Sequence, residues 1–373
     1  MISNFTQSSV DIKITDYCPF GCPFCYQGST VKGIHADFEE LKKAIDFFVD
    51  KVGVFEVILG GGEPTLYPHI EDLLLYLLTE KKVNVGITTR NKKVFSLLHD
   101  LSFKISDKNS SDISPGIFVG LSVSGNIRET AKAFVSSLND LLEEEYRKKA
   151  EEIDSKEKDD LVRSIYKLTL FEDVLDRFKK VVRDFRFHLV SGVDFHDFTS
   201  LKRAVRNLFL GTLEGNKGYL DTNWVRLGYI NVLLLGYKES KLDPNYKETS
   251  VNWKSLGSEL EKTMFSLFGI LRKNKKKYNP LVVDRSYFSS LGKKAPSSFS
   301  VISLSVDFPF MQGILPYISS DKYEKSLIEK EGKYTFYYDA VKKILSESSY
   351  SFNFATEVKD FEKDFVEFVS KLG

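Results

Sequence analysis

Cysteine is almost missing from this sequence: 373 residues contain three, and none follows Cys25. A secreted disulfide framework normally uses an even number of cysteines spread along the chain, so that architecture is excluded. An excess of either charge is missing too, with 53 Lys and Arg against 52 Asp and Glu. Nothing in that balance asks for nucleic acid, anionic lipid or a strongly acidic partner. No apolar run is long enough to span a bilayer, and Met1 to Gln7 lacks the basic start and apolar stretch of an export signal. The expected location is therefore cytoplasmic. The 42% of hydrophobic residues suffices for a sizeable core, built as one large domain or as a domain with an appendage. The 30 phenylalanines read as material for that core.

The three cysteines all fall in Tyr17-Cys18-Pro19-Phe20-Gly21-Cys22-Pro23-Phe24-Cys25-Tyr26. Thiolates at C-x3-C-x2-C spacing, separated by turn-forming Pro and Gly, can converge on one metal centre of the soft kind, an iron-sulfur cluster or zinc. With three protein ligands a 4Fe-4S cubane keeps one iron open for a substrate or cofactor. A closed zinc module using Cys18, Cys22, Cys25 and His35 is the competing reading.

The run Cys18, Cys22, Cys25, with Phe24 just before the last cysteine, resembles the cluster loop of the radical SAM (S-adenosylmethionine) superfamily. The resemblance implies a 4Fe-4S cluster on the three cysteines, S-adenosylmethionine on the open iron, and Phe24 near the adenine. It implies reductive cleavage to a 5′-deoxyadenosyl radical that abstracts hydrogen from a substrate, with a flavodoxin or ferredoxin as electron source. The fold it implies is α/β, a partial (β/α)6 TIM-like barrel.

The chain in order agrees with that alternation. Val10 to Thr15 reads as a strand delivering the chain into the cysteine loop, and Asp37 or His35 opens a helix with Phe38, Leu41, Ile45 and Phe48 at helical spacing. Phe55 to Leu59 is a second strand, followed at once by Gly60-Gly61-Gly62-Glu63-Pro64. Consecutive glycines there permit close backbone approach. The turn is similar to the superfamily's GGE motif, which implies that Gly61 and Gly62 let the chain approach the methionyl amino group and that Glu63 accepts its hydrogen bonds. A helix from His69 leads to a third strand, Val83 to Thr89, whose end Thr88-Thr89-Arg90-Asn91 resembles the superfamily's polar TNG-like strand end, interrupted by Arg90; the resemblance implies Thr89 as a cofactor contact. The fourth strand, Ile117 to Ser124, resembles the one that holds ribose and carboxylate; Ser122 and Ser124 share a face at period two. Phe185 to Val190 is a fifth strand, with His188, Asp194, His196 and Asp197 as substrate-side candidates. Val225 to Lys238 is a sixth, where the resemblance puts Leu235 and Gly236 beside the adenine. Cys18 to Cys25, Glu63, Thr89, Ser122 and the Gly236 turn all fall at C-terminal strand ends, the active face of a parallel barrel.

The expected organisation is a core over 1–245, with a charged helical insertion at about 130–183, and an α+β C-terminal extension over 246–373 that covers the barrel. In the insertion Ala131, Phe134, Leu138 and Leu141 mark an inward stripe. The extension has a helix near Trp253 to Leu271 and strands at 281–284, 299–307 and 334–338, with Asp284, Asp307, Tyr337 and Tyr338 as further substrate-side candidates. Having no cysteine, it cannot hold an auxiliary cluster. The expected substrate is a peptide or protein side chain, bound as an extended strand; a small-metabolite rearrangement or epimerisation is the alternative, as is a non-catalytic metal-binding module.

Overall fold

A computed structural model describes residues 9–106, 115–156, 177–178, 180–215, 230–236, 241, 250–259, 281–283, 302–306, 335–347 and 353–372. Six parallel strands follow one another in chain order, β1 (Ser9–Thr15), β2 (Glu56–Gly61), β3 (Asn84–Thr89), β4 (Ile117–Ser122), β5 (Val182–Val190) and β6 (Ile230–Leu235). Helices stand between them: α1 (Phe38–Asp46), α2 (Ile70–Leu75), α3 (Val94–Ser106), α4 (Ile127–Lys156) and α5 (Phe198–Gly215). The result is the expected α/β half-barrel.

Each strand's alternation decides what its two faces do. Val10, Ile12 and Ile14 of β1, Val57 and Leu59 of β2, and Val119 and Leu121 of β4 are essentially buried in one cluster with Leu41, Leu73, Leu98, Phe134 and Leu208 from the five helices. The other face holds Asp11, Lys13 and Thr15, in register with Ile58 and Gly60, and further along Thr88, Ser122, Arg186 and His188. A parallel sheet covered on both sides reads as continuous apolar runs. Here the second face is polar, so it lines the mouth of the barrel.

Helix starts and stops follow local chemistry. Asp37 caps α1, its Oδ1 accepting from Glu40 N–H at 3.0 Å, and Leu41, Ala44 and Ile45 form the buried stripe. A wider last turn carries the chain to Gly53 in the left-handed region, φ 86°. In α4 the stripe Ala131, Phe134 and Leu138 is buried as expected. The sequence reading left residues 92–116 unassigned; α3 lies there, with Val94, Phe95, Leu98 and Leu101 wholly buried at helical spacing. Two boundaries also move. β5 begins at Val182, inside the expected insertion, and β4 ends at Ser122, short of Ser124.

The C-terminal segments extend both edges of this sheet. β7 (Leu281–Val283) and β8 (Ile302–Val306) lie beyond β6, with β8 parallel to it; β9 (Thr335–Asp339) lies parallel to β1, followed outward by β10 (Ile344–Ser346) and β11 (Thr356–Glu357). The last helix, α6 (Phe361–Leu372), seats Phe365 and Phe368 on Phe336 of β9 and reaches Phe47 beyond α1. Tyr338 points to the same aromatic layer, against Phe48 and Phe361, and not to the barrel mouth. Asp284, Asp307 and most of the expected helix 253–271 lie outside the described residues. No helix among the described residues is long and apolar enough to cross a membrane.

Candidate functional site

The cysteine loop leaves β1 through a clamp of backbone bonds. Asp16 N–H donates to Ile34 C=O at 2.8 Å, Cys18 N–H to Thr30 C=O at 2.9 Å, and Thr30 N–H returns to Asp16 C=O at 3.1 Å. Within the loop Cys25 N–H closes a turn on Cys22 C=O at 3.0 Å, and Lys241 N–H donates to Cys25 C=O at 2.9 Å. The clamp projects three free, half-buried thiols from the C-terminal end of one strand. Burial pushes the Cys18 thiol above its ordinary range, with the charges of Cys22, Glu63 and Cys25 adding to the effect.

The glycine turn packs directly on this loop. Gly62 N–H donates to Thr15 C=O at 2.7 Å and Glu63 N–H to Tyr17 C=O at 2.9 Å. Gly61 has φ +113°, and a Cβ there would sit 2.3 Å from Thr15 C=O; a Cβ on Gly62 would sit 2.2 Å from Tyr17 C=O. No side chain fits at either position without moving the backbone of the cysteine loop.

Glu63 is buried and ties two strand ends together. Its Oε1 accepts from Thr65 N–H at 3.2 Å, Thr65 Oγ1 at 2.6 Å and Thr89 Oγ1 at 2.6 Å, while Oε2 accepts from Arg90 N–H at 3.0 Å. Thr89 is thus buried under the turn, and its neighbour Thr88 is the exposed side chain of that strand end. Beyond β4, Ser124 is buried and donates to Asp194 Oδ2 at 2.6 Å; Asp194 also accepts from Val190 N–H at 2.7 Å and Gly125 N–H at 3.1 Å. Burial raises the Asp194 carboxyl above the usual carboxylate range. Of the two serines, Ser122 lies on the inner face of β4, in register with His188, while Ser124 lies beyond the strand end. The Phe24 ring lies beside Gly125 at the same strand end. Leu235 ends β6 on the inner face opposite Val190, its carbonyl accepting from Ser191 N–H at 2.8 Å, and Gly236 follows, buried. A cavity of about 250 Å³ opens beside Asp194, between Ile127, His196, Arg203 and Asn207.

Two features were missed in the sequence. Arg90, read as an interruption of a polar strand end, donates from a guanidinium N–H to Cys22 Sγ at 2.8 Å. Lys13 is buried on the inner face and paired with Asp16 and, at 3.5 Å, with Asp339 from β9. The signal for Lys13 was a cation at an inward position of a buried strand. Tyr337 belongs to the same seam, its hydroxyl donating to Gln27 Oε1 at 3.3 Å, and burial pushes that phenol far above its usual range.

The donor set suits a multi-iron cluster. Three free thiols share one loop, and a cationic cluster would offset the burial, and the smaller repulsion from Cys22 and Cys25, that raise Cys18. The zinc reading needs a fourth ligand, for which the sequence offered His35. His35 is engaged elsewhere, its Nδ1 2.8 Å from Thr15 Oγ1 and its ring against Tyr17 and Tyr67.

Fold and site together define a class: an α/β half-barrel with a thiolate-rich site at its strand ends. Residues 12–94 match the family model described as the Radical SAM superfamily. The superfamily's cofactors are a 4Fe-4S cluster and S-adenosylmethionine. A probable GTP 3′,8-cyclase of Thermoplasma volcanium is 29% identical over 94 residues, which are 25% of this chain and 28% of that protein. The crystal structure of Streptococcus suis SuiB bound to precursor peptide SuiA superposes with a TM-score of 0.50 at 15% identity, covering 98% of this chain and 65% of that one. The chain thus spans under a third of the curated relative and just under two thirds of SuiB, and the structural likeness is one of fold.

Proposed function

We propose that this protein is a radical SAM enzyme that abstracts hydrogen from a peptide or protein side chain. The observation that carries the reading is the joint between the two motifs: Gly62 and Glu63 donate backbone bonds into the residues that launch the cysteine loop. Two stretches separated by a helix thereby form one site at one end of a parallel sheet. When bound, the reduced cluster and S-adenosylmethionine supply a 5′-deoxyadenosyl radical, the species that removes the hydrogen atom.

In this reading Cys18, Cys22 and Cys25 hold the cluster. Gly61 and Gly62 keep the wall beside it free of side chains, Glu63 holds that wall against β3, and Phe24, Thr89, Ser122, Ser124, Leu235 and Gly236 line or support the cofactor's far side. The polar inner face, with Thr88, Ser122, Arg186 and His188, receives the substrate. A flavodoxin or ferredoxin supplies the electron. A peptide substrate is supported by the likeness of fold to SuiB, which has been crystallised with a precursor peptide.

The test is anaerobic reconstitution of the full chain with iron and sulfide, followed by quantification of 5′-deoxyadenosine with S-adenosylmethionine and a reductant. The native chain is expected to form it, and the Cys18→Ala, Cys22→Ala, Cys25→Ala variant to form none. A colourless protein carrying zinc would overturn the reading. Turnover stimulated by small metabolites and by no peptide would keep the chemistry and replace the substrate class.

A further inference from the structure

We propose that Arg90 tunes the reduction potential of the cluster held by the three cysteines, by donating a charge-assisted hydrogen bond to the sulfur of Cys22. The inference rests on the reading of the thiols as cluster ligands and goes beyond it by assigning a role to a residue that is not itself a ligand.

The geometry supporting it is specific. A guanidinium N–H of Arg90 lies 2.8 Å from Cys22 Sγ, in a partly buried setting. The backbone of Arg90 is held by Glu63 Oε2, and its neighbours are held in turn, Asn91 N–H donating to Thr89 Oγ1 at 2.9 Å and Asn91 Nδ2 to Thr65 Oγ1 at 3.0 Å. The side chain therefore starts from a fixed point. Two carboxylates could compete for this cation, and both are already taken: Glu63 by Thr65, Thr89 and the Arg90 backbone, and Asp194, which feels the Arg90 charge, by Ser124 and the N–H groups of Val190 and Gly125. The guanidinium is left to the sulfur.

Arginine stays charged at every working pH, and its N–H groups are fixed in a planar fork. Reduction adds one electron from an external donor to the cluster, with no bond broken and no proton moved, and places more negative charge on the cysteine sulfurs. A permanent cation with an N–H aimed at one of those sulfurs stabilises the reduced form more than the oxidised form. Hydrogen bonds to the sulfurs, net charge and solvent exposure are the levers that set such potentials. Arg90 supplies the first two. It is a positioning residue, acting through Cys22.

The experiment compares the full-length native chain with Arg90→Met and Arg90→Lys, each reconstituted anaerobically. Iron and sulfide per chain are measured first, then the midpoint potential by EPR-monitored titration without S-adenosylmethionine, then the affinity for S-adenosylmethionine. Arg90→Met is expected to carry the native amount of iron with its midpoint shifted to more negative values. Arg90→Lys, which keeps the charge and loses the fork, is expected between the two. Should Arg90→Met fail to load, the native and Arg90→Lys pair decides. Equal midpoints in the loaded proteins would overturn the inference, as would an unmoved midpoint with weakened S-adenosylmethionine binding, which would assign the guanidinium to the cofactor. A native chain that takes up no iron would overturn the functional reading itself, and the iron assay shows this before any potential is measured.

Discussion

Strands β1 and β9 lie side by side and owe their places to different kinds of information. β1 carries its own instructions: an apolar–polar alternation, a cysteine loop at its end, and a partner, β2, reached through one helix. β9 arrives more than three hundred residues later, pairs in parallel with β1 from Ser9↔Thr335 to Lys13↔Asp339, and brings Asp339 against Lys13 and Tyr337 against Gln27. Chemistry concentrated in a short segment can be recognised in isolation. Pairing across so long a separation cannot, because many apolar pentapeptides would satisfy the same edge. The seam between β1 and β9 is where the motif-bearing segment and the rest of the chain become one structure.

Four changes would break or sharpen that contrast. The largest effect is expected at Phe365→Ala, which empties a buried site packed edge-on against Phe336 and Phe47. A loss of about 4 kcal/mol in unfolding free energy is expected from deleting a buried aromatic ring, measured by urea denaturation of the apo protein; a change too small to resolve would mean that α6 does not anchor β9. Next comes Lys13→Met, which leaves Asp339 buried beside Asp16 without their cation. Breaking one partner of a buried pair costs about 3 kcal/mol, and the double change Lys13→Met, Asp339→Asn, which keeps an acceptor for the N–H groups of Val341 and Lys342, should cost less than the sum of the two single changes. Full additivity of the two single changes in that cycle would show that no coupling crosses the seam.

Gly62→Ala acts on the motif side alone. Its Cβ would meet Tyr17 C=O at 2.2 Å, so the cysteine loop must shift, at about 2 kcal/mol for an overpacked backbone contact. A native melting curve with native iron uptake would show that the two motifs are not rigidly joined. The smallest effect is expected at Asp364, whose carboxyl accepts from Lys359 N–H at 2.7 Å and Asp360 N–H at 2.8 Å. These bonds hold it below its ordinary value of 3.8. Its contribution is fully present above that unfolded value and is lost as the pH falls through the lower folded one. Asp364→Asn should therefore flatten the acid limb of the stability curve slightly, seen by comparing melting temperatures from pH 5 downward.

The substitutions that matter at the site also show where sequence reading stops. Glu63 was legible as a functional carboxylate from the glycines before it, yet its hydrogen bonds to Thr89 and Arg90 were not, since they join two loops across a helix-strand unit. Ser124 was placed with Ser122 by strand periodicity. The strand ends sooner, and Asp194, seventy residues on, draws Ser124 into the wall. Helix α3 is written in the spacing of Val94, Phe95, Leu98 and Leu101, a stripe that is local and legible in the sequence.

By itself the sequence determined what depends on near neighbours. That includes the cysteine spacing, the glycine turn, the apolar stripes of α1 and α4, and the alternation that gives each strand a helix side and a barrel side. Tertiary structure alone decided what depends on distant partners: β9 beside β1, β8 beside β6, Asp339 on Lys13, and the guanidinium of Arg90 on the sulfur of Cys22. The physical reason is reach. A local pattern constrains residues a few positions apart through the geometry of one helix or strand. A hydrogen bond between Arg90 and Cys22 exists only once three strands and the two helices between them have packed to bring them within 2.8 Å.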